Sequence, residues 1–589
     1  MRPPHLVPSL RPLLTALLLL AFAAAEARAE ISLVGPSRAE AERHMVSSAN
    51  PLASAAGREM LREGGSAVDA AIATQMVLTL VEPGESGLGG GAFLLHYEAE
   101  TGALRFYDGR ETAPQAATPD RFLWGRGRSL PFYLAVMSGR SVGTPGLLAM
   151  LAEAHAEHGR LPWARLFEPA IALARDGFPV TPRLSRQIRL DPTLRLRGET
   201  RSYFYHYGVR ALRPGAIRRN PELADTLHRI AVEGPDAFYE GEIAEDLVRA
   251  VRGSRLGGPG DLSLADLRDY EPVLRDAICR PYRDWTVCGS PPPSSGGTTI
   301  LQILGILEPF DLAALEPDSA EAVHLFAEAS RLAFADRVAF LGDGEAARAL
   351  VPQLLDRDYL AGRSALISPR RALPLTVAGT PPPPASGERP MPRREGGRAA
   401  APGGERGSTS HFSVVDGDGN AVALTSSIEQ PFGSRLLVRG FLLNNQLTDF
   451  AFRPLRNGEA VPNAVEPGKR PLSAMSPTFV FDAEGDLRYV LGSPGGSRII
   501  GFVAKTLVGL LDWELPLEEA VALGNVVHRG GRLELERGSG AARQARALRR
   551  LGHRPQVTGL TSGLHAIAVT PDGLVGVADS RRGGGALGD

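Results

Sequence analysis

The chain changes texture at Ser408-Thr409, and that change limits its fold more than any other feature. From about Leu375 the sequence runs through Pro381-Pro382-Pro383-Pro384, several Arg/Glu pairs and Ala401-Pro402-Gly403-Gly404, a composition that buries too little apolar surface to order itself. At Thr409-Ser410-His411-Phe412 alternation begins. Phe412 and Val414 are followed by Val422 and Leu424 across Asp416-Gly417-Asp418-Gly419-Asn420, which predicts a β-hairpin. Thr409 and Ser427 each lie nine residues from Asp418, so antiparallel pairing sets two hydroxyls side by side at one strand end, within the one-residue shift that a bulge allows. A hydroxyl residue at such a junction is placed to become a new N-terminus. The plainer reading is a linker followed by a hairpin, with Thr409 there for its β-propensity.

At 589 residues the chain exceeds one small core. A net charge of -1 and a pI near 6.9 give no reason to expect nucleic acid or an anionic membrane as partner. Arg2 and Arg11, the apolar run 13–25 and Ala27-Arg28-Ala29 predict a secretory signal over residues 1–29. That run is short for a membrane span and no later stretch is longer, so the expected product is exported, periplasmic or secreted, without stable membrane insertion. The two cysteines, Cys279 and Cys288, serve either as a disulfide across a hairpin or as two buried thiols. No Cys or His spacing points to a metal, and no cofactor is expected.

Helix signals cover 51–62, stopped by Gly64-Gly65, and 67–81, opened by Ser66 with Asp69. The following Gly84-Glu85-Ser86-Gly87-Leu88-Gly89-Gly90-Gly91 lacks a P-loop lysine and a dinucleotide spacing, so it reads as tight backbone packing. Strands at 93–97 and 104–107 end near Arg110, a strand-end position from which a side chain can point into a cleft. Residues 146–269 read as mostly helical, including 221–233 and 242–251, as does 319–340. The C-terminal part predicts strands at 436–443, 478–481, 487–491, 564–569 and 574–577, and helices at 497–511, 517–523 and 540–551. Antiparallel strands flanked by helices give a layered architecture.

Gly492-Ser493-Pro494-Gly495-Gly496-Ser497-Arg498 leads from a strand into an apolar helix. Its glycine N–H groups are either oxyanion donors or part of a plain tight turn. A Thr at a new N-terminus carries an α-amine of pKa roughly 7.7–8.0, so one residue supplies nucleophile and base. His411 shares a strand face with Thr409, and its expected role is a structural hydrogen bond. Gly84-Glu85-Ser86-Gly87 fails the nucleophile-elbow spacing.

The assembled motifs resemble the γ-glutamyltranspeptidase family of N-terminal nucleophile hydrolases over nearly the whole chain after residue 29. They are Asn50-Pro51-Leu52-Ala53, Gly87-Leu88-Gly89-Gly90-Gly91-Ala92-Phe93, Arg110-Glu111, Pro292-Pro293-Ser294-Ser295-Gly296-Gly297, Thr409-Ser410-His411-Phe412-Ser413-Val414-Val415-Asp416, Leu443-Asn444-Asn445-Gln446, Lys469-Arg470-Pro471-Leu472-Ser473 and the Gly492 to Arg498 stretch. The resemblance implies an α+β fold, a four-layer αββα sandwich with a helix-rich lobe in the large subunit. It also implies a precursor that cuts itself between Ser408 and Thr409 into a large subunit, 30–408, whose residues 375–408 form a flexible Pro/Gly-rich segment, and a small catalytic subunit, 409–589, the two staying together as a heterodimer. Thr409 would attack γ-glutamyl compounds such as glutathione, and water or an amino-acid acceptor would release the γ-glutamyl ester. Gly495 and Gly496 match the family's oxyanion hole, and Ser427 matches the hydroxyl that supports the nucleophile. Arg110 and Ser473 match the α-carboxylate site, and Glu429, Gln446 and Asp449 match the residues that hold the α-ammonium.

Two departures stand out. Ala474 replaces a common second serine, removing a hydrogen bond of order 1 kcal/mol, and the lid segment 451–468 lacks the tyrosine of some members, which predicts a more open site. The competing readings are an acylase for glutaryl-type side-chain amides and a processed, catalytically silent binding protein. Glu429, Gln446 and Asp449 argue against a glutaryl group, which has no ammonium.

Overall fold

A computed structural model of the chain describes residue 35 and residues 37–125, 127–383, 408–456 and 458–589. The expected signal, 1–29, and residues 384–407 of the Pro/Gly-rich segment lie outside them. Within 375–383 no helix or strand forms, although the Gly379 N–H donates to Asp336 at 2.8 Å.

Two large antiparallel sheets are built from strands β1 (Arg38–Ala41), β2 (Met45–Ser48), β3 (Gly91–Glu98), β4 (Ala103–Gly109), β5 (Val273–Arg275), β6 (Ile278–Tyr282), β7 (Trp285–Gly289), β8 (Ser408–Val415), β9 (Ala421–Glu429), β10 (Thr478–Phe481), β11 (Leu487–Gly492), β12 (His565–Thr570), β13 (Gly573–Ala578) and β14 (Gly585–Gly588). One sheet has the order β1-β13-β12-β11-β10-β7-β6 and the other β5-β4-β3-β9-β8-β2-β14. They meet face to face: Ser413 Oγ donates to the His565 carbonyl at 2.9 Å, and Ser47 Oγ to the Val577 carbonyl at 2.7 Å.

Alternation along β8 and β9 divides their side chains between two cores. Phe412, Val414, Val422 and Leu424 pack with helices α1 (Pro51–Arg62) and α2 (Ala67–Val81), together with the helical lobe between Phe132 and Arg268. Val415, Ala421 and Ala423 join the core shared with the other sheet and with helices that follow, Gly296–Leu307, Ala320–Phe340 and Ile499–Leu511.

Local chemistry explains the boundaries. Asn50 caps α1 through a 3.0 Å bond from the Leu52 N–H, and Ser66 with Asp69 forms the capping box of α2. Two expected elements are broken. Residues 436–443 fold back as a small hairpin, Leu437–Val438 against Phe441–Leu442, because Arg439 and Gly440 both adopt positive φ, 49° and 84°. Residues 540–551 divide into Gly540–Arg543 and Ala545–Arg550 around Gln544. Cys279 and Cys288 are directly opposite on β6 and β7 and form a disulfide.

The glycine-rich loop before β3 packs as backbone. A Cβ on Gly89 would lie 2.2 Å from the Leu442 carbonyl oxygen, and one on Gly90 2.3 Å from that of Ser427. The loop therefore passes directly against the end of β9.

Candidate active site

Thr409 sits on a bulge. The β8–β9 ladder runs regularly from Val415 opposite Ala421 to Ser410 opposite Ser426, then shifts so that Ser408 faces Glu429. Thr409 is left without a regular partner, yet its Oγ1 lies 3.3 Å from Ser427 Oγ and donates to the Ser408 carbonyl at 2.6 Å. The same carbonyl oxygen accepts a second bond from Ser427 Oγ at 2.8 Å, and the Glu429 N–H donates to Ser427 Oγ at 2.9 Å. The carbonyl oxygen of the continuous Ser408–Thr409 peptide bond thus accepts from two hydroxyls, Thr409 Oγ1 and Ser427 Oγ, an arrangement able to polarise that carbonyl.

His411 is fully buried. Its Nδ1 is 2.8 Å from Thr425 Oγ1 and its Nε2 3.3 Å from Ser413 Oγ. Burial and the neighbouring His565 push it well below the ordinary imidazole range, so it is a neutral structural group. Its ring occupies space that only a glycine at 492 leaves free, since a Cβ there would come within 2.4 Å.

Arg110 follows β4 and is 1% exposed. Its guanidinium donates to Asp449 at 2.7 Å and to the carbonyls of Pro471 and Leu472 at 3.1 and 3.2 Å. Gln446 Nε2 donates to the same Asp449 oxygen at 2.8 Å. Glu429, at a positive φ of 78°, accepts from Asn445 Nδ2 at 3.1 Å. Burial, then the charge of Asp449, pushes the Glu429 carboxyl well above the usual range. The buried Glu429 carboxyl thus lies beside the partly exposed Asp449 carboxylate, which Arg110 already pairs, and a second cation brought between them would be favoured. Ser473 Oγ accepts from the Met475 N–H at 3.1 Å, and the Ser473 carbonyl accepts from Ser295 Oγ.

Gly495 and Gly496 take φ values of 142° and 59° ahead of the apolar helix Ile499–Leu511, conformations suited to glycine. Neither N–H donates to another described residue.

Two participants, Glu85 and Arg337, escaped the sequence reading, and a third, Asn445, entered it only within the Leu443 to Gln446 motif. Glu85 accepts the Thr409 N–H at 3.0 Å; the only local sign was a lone carboxylate inside a glycine-rich loop. Asn445 holds Glu429 and also accepts from the Gln430 N–H at 2.9 Å. Arg337 donates to Ser295 Oγ at 2.7 Å, one hydrogen bond from Ser473, and burial lowers it to about 10. Arg337 has no distinguishing local signal. Among the described residues, His324, Glu328 and His553 form the group able to hold a metal. His324 Nδ1 is already 2.7 Å from His553 Nε2 and its Nε2 2.8 Å from the Ser368 carbonyl, and none of the three hydrogen-bonds to a residue around Thr409.

The sequence and its fold match known proteins over nearly all of the described chain. The chain is 37% identical to the glutathione hydrolase proenzyme of Pseudomonas aeruginosa over 482 residues, 80% of each chain. It is 36% identical to the acylase ACY 1 proenzyme of Pseudomonas sp. strain SE83 over 558 residues, 93% of each. A crystal structure of cephalosporin acylase from Bacillus halodurans superposes with a TM-score of 0.78 at 26% identity, covering 95% of this chain and 98% of that one. Residues 53–589 match the family described as gamma-glutamyltranspeptidase, and with that match spanning twelve of the fourteen strands of the two sheets and every residue placed around Thr409, the chain belongs to the γ-glutamyltranspeptidase family.

Proposed function

We propose that this protein is a self-processing enzyme that cleaves γ-glutamyl amide bonds, as the name of its glutathione hydrolase relatives implies for them, by way of a γ-glutamyl ester on Thr409. One observation carries the reading: Thr409 Oγ1 and Ser427 Oγ both contact the carbonyl of the bond that must break to free the Thr409 amine. Cleavage there divides the chain into 30–408 and 409–589, with 1–29 as an export signal that directs the protein to the periplasm or the medium. The layers run helix, sheet, sheet, helix; in support, one sheet packs α1 and α2 in a core that no strand of the other sheet joins, and the other sheet shares its core with the helices Gly296–Leu307 and Ile499–Leu511.

In the processed enzyme the Thr409 amine takes the Oγ1 proton as Oγ1 attacks the γ-carbonyl. Gly495 and Gly496 donate to the oxyanion. In support, Ser413 Oγ reaches the Val490 carbonyl at 3.3 Å and His411 packs on Gly492, so one further two-residue step along both strands brings Thr409 abreast of Pro494 and Gly495. The departing amine takes the proton, and water or an amino-acid acceptor then attacks the ester. In the pocket the substrate α-carboxylate replaces Asp449 on Arg110 beside Ser473. The freed Asp449, with Glu429 and Gln446, receives the α-ammonium.

Similarity to acylases favours a second reading, an enzyme for glutaryl-type amides. The paired Glu429 and Asp449 oppose it, because a glutaryl group brings no cation to them. Turnover of γ-glutamyl-p-nitroanilide against glutaryl-p-nitroanilide decides: faster reaction of the glutaryl compound overturns the γ-glutamyl assignment. N-terminal sequencing tests the processing, the expected product being a fragment of about 19 kDa that begins at Thr409, in proportion to its share of 62.6 kDa.

A further inference from the structure

We infer that Glu85 is the counter-ion of the Thr409 nitrogen, holding the amide N–H of the scissile bond before the cut and the α-ammonium that the cut creates, and so governs both maturation and the charge state of the new N-terminus. The inference rests on Thr409 being the processed N-terminus, as proposed above.

The two oxygens of Glu85 have different partners. Oε1 accepts from Arg183 Nη2 and Gln187 Nε2 on the helix Pro182–Leu190. Oε2 accepts from Ser408 Oγ and, at 3.0 Å, from the Thr409 N–H, and Arg582 Nη1 stands 3.3 Å away. One oxygen thus anchors the carboxylate to the scaffold, while the other binds both residues of the bond to be broken. A carboxylate needed only for an ion pair with Arg183 has no reason to be aimed there.

The site keeps this carboxylate charged. Burial would raise it, as it raises Glu82 three residues earlier to about 7. At Glu85 the guanidiniums of Arg183 and Arg582 and the Ser408 hydroxyl outweigh burial and bring it to about 2. The other charged groups of the cluster are Arg183, which also reaches Glu82 at 3.9 Å, and Arg582, which shares Glu85 Oε2 with the Thr409 N–H, while His411 is neutral and hydrogen-bonded to Thr425.

During the cut, Oγ1 of Thr409 bonds to the Ser408 carbonyl carbon and the C–N bond breaks. The Oγ1 proton passes to the departing nitrogen, which takes a further proton from water to become an ammonium. Water then hydrolyses the ester, leaving the Ser408 carboxylate and restoring the Thr409 hydroxyl. Glu85 neither gains nor loses a proton. It faces an amide dipole at the start and a full positive charge at the end, so it stabilises the product side more than the reactant side. In the mature enzyme the same contact favours the protonated amine, which cannot act as base, and moves the acid limb of activity to higher pH.

The test compares wild type, E85Q, E85D and the charge-balanced E85Q/R582Q, which avoids leaving an extra unpaired buried guanidinium. Self-cleavage is followed by gel and mass spectrometry, and kcat/KM with γ-glutamyl-p-nitroanilide is measured against pH on matured protein. E85Q, or the double variant if E85Q does not fold, is expected to cut about tenfold or more slowly and, once matured, to show its acid limb about one pH unit or more lower. E85D should restore both readouts toward wild type. Wild-type cleavage rates and an unmoved acid limb in the glutamine variants overturn the inference. A wild type that is not cut before Thr409 overturns the underlying reading instead, so the two failures are distinguishable.

Discussion

In the uncut chain Thr409 is 4% exposed and its nitrogen is an amide, so before cleavage it has neither access to substrate nor a base. Thr409→Ala should therefore accumulate as a folded, inactive, full-length chain, checked by gel and by γ-glutamyl-p-nitroanilide assay. Ser427→Ala removes one of the two hydroxyls on the Ser408 carbonyl and should slow self-cleavage by about 10²-fold, read as the half-time of conversion. Glu429 gives a pH signature. Its raised carboxyl is protonated in the empty pocket at lower pH, and an α-ammonium bound beside it favours the ionised form. Affinity for glutamate should then rise with pH through the Glu429 titration and level off above it, with proton release on binding, whereas Glu429→Gln should be flat. Calorimetry in two buffers measures both. At this scale the sequence disclosed the Thr409–Ser427 neighbourhood, because counting outward from a turn works for local pairing. It did not disclose Glu85 or Arg337, whose partners lie hundreds or tens of residues away.

Helices and strands followed the sequence where caps and alternation are clear: Pro51–Arg62 and Ala67–Val81 fall where their caps place them, and Phe412, Val414, Val422 and Leu424 fall on paired strands as their alternation about the turn predicts. The failures, 436–443 and 540–551, are runs whose apolar pattern continues through a point where the backbone turns, and pattern alone does not mark Arg439 or Gln544 as turning points. The loop before β3 shows how an element positions chemistry without contributing any. Gly90→Ala would drive a methyl group into the Ser427 carbonyl, which belongs to the backbone and must move with its strand. The expected cost is about 1–3 kcal/mol, with slower maturation as the Ser427 hydroxyl leaves the Ser408 carbonyl. Thermal melting and the cleavage time course measure the two effects separately.

Over the whole molecule, the pieces on either side of Thr409 are interleaved. In one sheet β9 and β8 lie between β3 and β2, and in the other β13 to β10 lie between β1 and β7. Strand order of this kind comes from pairings across hundreds of residues, which no local pattern reports. The Cys279–Cys288 disulfide fastens the β6–β7 hairpin at the rim, away from Thr409 in the strand order. Replacing both cysteines with serine should lower stability by about 2–3 kcal/mol and leave kcat/KM unchanged, checked by denaturant titration alongside the assay. The interleaving also makes the chain's history matter. An unbroken precursor finds its fold by a first-order search, since every strand is tethered to its neighbours-to-be. Once the bond before Thr409 is gone, a denatured pair must meet again in solution, and neither half alone offers a complete sheet to fold upon. Maturation therefore acts as a ratchet: the active form retains an arrangement that it is no longer wired to rebuild.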